Sequence, residues 1–280
     1  MPSTQRAGYT RDAHPQSAFG QLLRQWRVRR RWSQLDLAVE AEISARHLSF
    51  LETGRAQPSR EMVVLLVEVL QVPLRDRNEL LITAGYAPLY HETSLDAPAL
   101  SHLHRALDFT LRQQEPYPTL VLDRRWNVLK VNEGCARVQA YFLDPVAVAE
   151  LGPPNAMRLM FHPQAFRPYI VNWEATAASL IQWLHRDVIN GFGDTESRTL
   201  LEELLSYPDV PHHWRTRDLT APLVPFLAIH FRKHDLDLQF FTTLTSLGTP
   251  YDITLQELRI ESFFPADEAT EAALRRLSSG

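Results

Sequence analysis

The chain has 280 residues, 45% of them hydrophobic and 22% charged, with a net charge of −4, which is ordinary for a globular protein and long enough for two domains. No apolar run approaches a membrane-spanning helix, the N-terminal stretch MPSTQRAGYTRDAHPQS lacks the apolar core of a secretory signal, and the single Cys135 excludes an internal disulfide. These features predict a cytoplasmic protein with a disordered tail over residues 1–16. The negative total alone argues against nucleic acid, but residues 17–60 hold eight arginines against four acids, while 91–280 hold 17 basic and 24 acidic residues. A locally basic module joined to an acidic one is the charge layout of a DNA-binding domain attached to a domain with another task.

Residues 17–90 read as five short helices. The first runs from about Ser17 to Arg31, with Phe19, Leu22, Leu23 and Trp26 on one side and the basic run Arg27, Arg29, Arg30 and Arg31 near its end. Ser33 is a natural N-cap for a second helix to Ala41, with Asp36 forming a weaker version of the capping box and Leu35, Leu37 and Ala38 as its apolar side. Ser44 caps a third helix to Glu52, in which Leu48 and Leu51 share the buried side and Thr53-Gly54 supplies the stop. Its other side carries Ala45, Arg46, His47, Ser49 and Phe50, a mixed polar face suited to the major groove. Ser59 caps the fourth helix, and Pro73 opens a fifth that ends near Gly85.

The residues Ser33, Gln34, Leu37, Ala38, Ser44, Leu48, Ser49, Leu51, Glu52, Gly54, Arg55, Pro58 and Ser59 resemble the helix-turn-helix of the Cro and lambda-repressor (XRE) class. The resemblance implies a phosphate contact from Gln34, further backbone contacts from Thr53, Arg55 and Arg60, and base-edge contacts from Ala45, Arg46 and Ser49. Ser44 and His47 complete the expected DNA-binding set. Arg46 suits guanine, whose O6 and N7 accept two hydrogen bonds from one guanidinium, and equally suits a phosphate. The segments RHLSFLETGRAQPSREM and PLRDRNELLITAGYAPLY are similar to one subgroup, the MmyB-like transcriptional regulators.

Residues 91–99 read as a linker, followed by a domain over 100–280. An amphipathic helix with Leu100, Leu103, Leu107 and Leu111 on one side runs from Leu100 to Gln114. Two short strands, Thr119–Leu122 and Val128–Val131, flank a hairpin turn at 123–127, and Asn132 caps a helix toward Phe142. Helices are expected over Gln164–Ile189, ended by Gly191 and Gly193, and over Thr195–Tyr207. Three strands follow, at about Leu223–Arg232, Leu236–Ser246 and Ile253–Phe263, the last two joined through Leu247-Gly248-Thr249-Pro250. The expected fold class is therefore α+β: a five-helix helix-turn-helix domain, then a PAS-like domain with an antiparallel five-stranded sheet and helices on one side. Such a layer encloses an apolar space where a small molecule can sit.

DRRWNVLKVN, FHPQAFRPYIVNWE and TLQELRIESFFPADEAT resemble the ligand-binding domain of the MmyB-like regulators. The resemblance implies a sensor for a small apolar, fatty-acid-like ligand. Phe161, Trp173, Phe231, Phe240 and Phe241 either line its pocket or only pack the core. Arg158 and His162 are the expected anchors if the ligand carries a carboxylate, and otherwise a helix-end charge and a surface histidine.

Catalysis is not expected: the eleven histidines have no cysteines at metal-ligand spacing, and there is no HExxH, GxSxG, P-loop or GxGxxG. No metal or cofactor is implied. The reading is a sequence-specific DNA-binding transcription regulator, homodimeric on double-stranded DNA, that senses a small apolar ligand and does not engage membranes. The alternative is a DNA-binding regulator whose C-terminal domain only dimerises.

Overall fold

A computed structural model describes residues 17–190, 194–215, 226–248 and 251–279. The expected tail at 1–16, the helix-ending Gly191 and Gly193, the first residues of the strand expected from Leu223, and Thr249-Pro250 lie outside the described residues. The chain divides into two units, one holding the described residues up to 92 together with 251–253, the other holding the rest.

The first unit is a bundle of five helices, α1 (Ala18–Arg29), α2 (Gln34–Glu40), α3 (Ala45–Glu52), α4 (Arg60–Val69) and α5 (Leu74–Thr83). Four begin at serines. Ser17, Ser33, Ser44 and Ser59 each accept a hydrogen bond from a backbone N–H of the first turn, satisfying donors that a helix cannot pair internally. At Ser33 the capping box is reciprocal, since Asp36 also accepts from the Ser33 N–H at 2.7 Å. All five helices end in the same way, with the residue after the C-cap in the left-handed region. Gly54 and Gly85 do so without steric cost, whereas Arg31 (φ 59°), Glu42 (φ 54°) and Gln71 (φ 48°) carry side chains there. In each case two backbone bonds close a Schellman motif, for example Glu42 N to Val39 O and Ile43 N to Ala38 O at the turn between α2 and α3. Phe19, Leu23, Leu37, Leu48, Leu51, Val63, Leu66 and Leu80 form the buried interior. Leu35, expected on the inner side of α2, is exposed. At 3.6 residues per turn it lies about 200° around the helix from Leu37.

The second unit holds a five-stranded antiparallel sheet of β1 (Thr119–Leu122), β2 (Val128–Val131), β3 (Leu227–Lys233), β4 (Leu236–Ser246) and β5 (Arg259–Pro265), in the order β2-β1-β5-β4-β3. The helices are α6 (Ser101–Gln113), α7 (Glu133–Phe142), α8 (Pro145–Ala149), α9 (Ala156–Phe161), α10 (Trp173–Asn190), α11 (Thr195–Leu204), α12 (Ile253–Glu257) and α13 (Glu268–Ser279). The main core joins the inner face of the sheet to residues of α7, α9, α10, α11 and α13. Helices are not confined to that side: Leu107 and Leu111 of α6 form a separate small core with Val121 and Leu258, and Val121 points away from Leu120 and Leu122 by the period of two in a strand.

Two expected elements differ. Residues 253–257 form α12 rather than the start of a strand, because the run Leu-Gln-Glu favours helix and pairing with β1 and β4 begins only at Arg259. The long helix expected from Gln164 starts at Trp173, because Pro168 withholds a backbone N–H and the chain turns through a 3-10 segment at Arg167–Tyr169.

Asn132 ties the unit together. Its Oδ1 accepts from Thr119 N and Cys135 N at 2.9 Å each, while its Nδ2 donates to Tyr117 O at 2.8 Å. One side chain thus fixes the start of β1 and the start of α7. The hairpin turn between β1 and β2 is closed by Asp123, whose carboxylate accepts from the backbone N–H groups of Arg125 and Asn127. Trp126 adopts φ 67° in this turn and buries its indole, 1% exposed.

Candidate functional site

In the first unit the element of interest is α3. Its inner side buries Leu48, Leu51 and Glu52; Ser44 and Arg46 are exposed, and Ala45, His47, Ser49 and Phe50 are half-buried. Two devices fix its position. A Cβ on Gly20 would lie 2.5 Å from the carbonyl oxygen of Glu52, so α1 crosses the end of α3 at a contact that only glycine permits. Beside it, Arg27 grips the Glu52 carboxylate with Nε at 2.6 Å and Nη2 at 2.9 Å and donates Nη1 to Trp32 O at 2.8 Å. Glu52 also accepts from Gln34 Nε2 at 2.8 Å. One buried carboxylate therefore links α1, α2 and α3, and a paired, hydrogen-bonded charge is the form in which burial is tolerated.

This changes the reading of the basic run. Arg27 is 8% exposed and internally paired. Arg30 donates to the carbonyls of Leu70 and Gln71, closing the end of α4. Arg29 lies over the Trp26 ring at 5.1 Å, where burial lowers its pKa. The run is thus largely framework rather than a free cationic stripe.

The structure places the remaining expected residues on the outer side. The Arg46 guanidinium sits over the Phe50 ring at 5.3 Å, one turn along the same face. Thr53 Oγ1 donates to Ser49 O at 2.7 Å. Arg55, just after α3, and Arg60, which begins α4, are exposed. Gln34, at the start of α2, turns its amide onto Glu52.

In the second unit a cavity of about 70 Å³ lies between the inner face of the sheet and the helices. Leu120, Ile229, Phe231, Phe240 and Phe263 wall it from the sheet, and Val138, Met157, Leu159, Phe166 and Leu180 from the helical side. Space of that kind holds roughly five waters at 10–15 Å³ each, so it admits a short aliphatic group without repacking. Phe231 and Phe240 line it as expected residues. Phe161 and Trp173 instead meet each other edge-to-face at 5.0 Å, with Arg167 over the Trp173 ring at 4.0 Å. Phe241 faces the other side of the sheet, stacked on Phe264 at 5.3 Å. Arg158 forms a fork with Glu203, at 2.9 Å from Nε and 2.9 Å from Nη2, and the His162 ring meets Tyr207 edge-on at 5.5 Å. None of Arg158, Phe161, His162, Trp173 and Phe241 is among the residues lining the cavity.

Three polar residues that line the cavity were not expected from the sequence: Glu261, Cys135 and Gln139. Glu261 sits on β5, paired with Leu120 on one side and Leu244 on the other, and is 5% exposed. Burial pushes its carboxyl up to about 7, against smaller opposing effects of Thr242 and Arg259. Gln139 donates to Cys135 Sγ at 3.4 Å, and burial with the nearby Glu261 pushes the Cys135 thiol up to about 12. The strand hides Glu261 from a reader of sequence because Ile260, Phe263 and Phe264 put apolar residues on both of its faces. Among the described residues no group of three or more His, Cys, Asp or Glu is placed to hold a metal ion, and no helix is long and apolar enough to cross a membrane.

Residues 103–277 match the family model of the MmyB-like transcription regulator ligand binding domain, and residues 18–80 match a helix-turn-helix domain model. No curated protein matches the sequence. A solved structure described as an RNA-binding light-oxygen-voltage receptor aligns with 94% of this chain at 14% identity and a TM-score of 0.27. This chain spans 62% of the length of that one.

Proposed function

This chain belongs to the family of MmyB-like transcription regulators, and from that premise we propose that it is a sequence-specific DNA-binding regulator whose second unit senses a small, fatty-acid-like molecule with an aliphatic tail. The observation that supports the sensor is the apolar cavity inside the matched ligand-binding domain. The DNA-binding reading rests on the exposed face of α3 within the matched helix-turn-helix. Arg46 and Ser49, with Ala45, His47 and Ser44, are assigned to base edges and the adjoining backbone. Arg55, Arg60 and Thr53 are assigned to phosphates, which position a protein without reading sequence. Gln34 is assigned to a phosphate through whatever donor capacity its bond to Glu52 leaves.

One helix-turn-helix reads few base pairs, so the regulator acts as a homodimer on a repeated operator, in the cytoplasm where its DNA lies. Phe231 and Phe240 contact the ligand's tail. Ligand binding alters DNA affinity only to the extent that the ligand distinguishes the DNA-competent state from the other. The test is operator affinity of the full chain with and without saturating ligand. A change of about 5-fold or more supports the sensor; equal affinities refute it and leave the DNA-binding reading standing.

The small size of the cavity favours one other reading, a C-terminal unit that only dimerises with its interior filled. Mass spectrometry of an organic extract of the purified protein separates the two: a stoichiometric aliphatic molecule supports the sensor.

A further inference from the structure

The slot between the sheet and the helices does not end with the cavity. A groove of about 370 Å³ adjoins it, and Trp126 lines both. The same elements wall the two spaces. On β4 the period of two puts Leu244 on the face of Phe240, about 13 Å further along the strand. On α10, Trp183 and Asp187 follow Leu180 along one side, and Arg186 stands about 9 Å beyond Leu180. On β5, Arg259 shares the inner face with Glu261 and Phe263. Trp126 stacks on Trp183 at 6.1 Å and carries the Arg259 guanidinium over its ring at 4.9 Å. Where the cavity is apolar, the groove is charged, with Arg186, Asp187 and Arg259 in its wall. Asp187 is already spent: its Oδ2 accepts from Trp126 Nε1 at 3.0 Å and from Arg259 Nη1 at 2.8 Å. None of the hydrogen bonds and ion pairs among the described residues involves Arg186, which leaves it as the surplus cation of the groove.

We propose that this groove is the head-group subsite of the sensor: the aliphatic chain lies past Trp126 with its tail in the cavity and its carboxylate on Arg186. The inference rests on the cavity being the sensor site, and it deepens that reading by placing the two ends of the ligand. Charge decides the direction. Glu261 lines the cavity and is 5% exposed, and a second acid beside it is disfavoured there. In the groove, a guanidinium with no acid of its own offers a carboxylate two parallel donors. Length follows from the same geometry. A chain held at Arg186 must cross about 9–13 Å to fill the cavity, so acetate cannot engage both ends. Arg158, the anchor that the sequence suggests, is forked onto Glu203 and lines neither space.

The test is isothermal titration of the full-length protein at about pH 8 with octanoate and octan-1-ol, repeated on Arg186→Gln and Arg186→Lys. Arg186→Gln is expected to weaken octanoate about tenfold, the size of one charge-assisted hydrogen bond, and to leave octan-1-ol within about threefold. Arg186→Lys keeps the charge and is expected to recover most of the octanoate affinity. A side chain that serves only the fold would weaken acid and alcohol alike, so an unchanged ratio of the two affinities in Arg186→Gln overturns the proposal while the sensor reading survives. Failure of both probes to bind wild type removes the sensor reading and the proposal with it. If Arg186→Gln does not fold, Arg186→Ala takes its place with the same ratio as the readout.

Discussion

Replacing Glu261 by glutamine should stabilise the protein, and by an amount that depends on pH. The carboxyl has an ordinary value of 4.5 and is raised by burial to about 7 in the fold. Below about pH 4 both folded and unfolded chains hold the proton, and the group contributes nothing. As pH rises, the unfolded chain releases the proton first, so the unfolded state gains and stability falls. The loss is complete once pH passes the folded value. At 1.36 kcal/mol per pH unit, the gap between 4.5 and about 7 corresponds to a penalty of about 3 kcal/mol at pH 8, and under about 1 kcal/mol at pH 5. Glutamine keeps the size and the polarity but cannot ionise. Urea unfolding followed by tryptophan fluorescence, run on both proteins from about pH 5 to pH 8, should therefore show the variant gaining roughly 2–3 kcal/mol on wild type across that range. Other titrating groups cancel in the difference. A difference that is flat with pH would mean that Glu261 is solvated in the native state, and the account of a carboxyl withdrawn from water would be wrong.

Arg27→Met should cost about 3–5 kcal/mol by leaving Glu52 buried without its guanidinium, and adding Glu52→Met should recover much of it; thermal unfolding of the two variants checks this, and a loss below about 1 kcal/mol for the single variant would show the pair to be solvated. Gly20→Ala should lose about 1–3 kcal/mol from overpacking against the end of α3, measured in the same way. Arg46→Ala should relax base preference at one operator position by about 1–3 kcal/mol, whereas Arg55→Ala should weaken binding evenly across sequences; titration against a set of mutated operators distinguishes them, and like behaviour refutes the assignment. Cys135, with its thiol pushed up to about 12, should resist iodoacetamide at neutral pH in the folded protein and react after denaturation, followed by mass.

The helix starts of the first unit are open to a reader of sequence because each is marked by a serine whose hydroxyl has one local job. The helix ends were legible only where glycine takes the left-handed position, at Gly54 and Gly85; Arg31, Glu42 and Gln71 do the same work with side chains that carry no such mark. Arginines mislead for a related reason. Charge pattern cannot distinguish Arg46, which faces outward, from Arg27, whose partner Glu52 lies 25 residues away and is brought to it only by the crossing of α1 over α3. In the second unit the strand pattern gave the sheet, but not α13, whose signals were present in the capping Asp267 and in the shift from acidic to basic residues along the helix. The cavity was legible as an apolar interior and through Phe231 and Phe240. Glu261 was not, since its environment is set by three strands that meet only in the folded sheet.

The contact of Gly20 with the end of α3 bears on how such a regulator can change over generations. A helix held by a backbone-to-backbone approach and a buried carboxylate has little freedom to tilt or slide, so a new operator preference cannot come from re-aiming α3. On the proposed assignment it comes from exchanging the side chains that α3 turns outward, Ala45, Arg46 and Ser49 among them, none of which is fully buried. The lineage can thus alter which sequence is read in single steps without first weakening the fold. Arg27 and Glu52 would have to change together or stay as they are, and Gly20 would have to stay whatever side chains they carry.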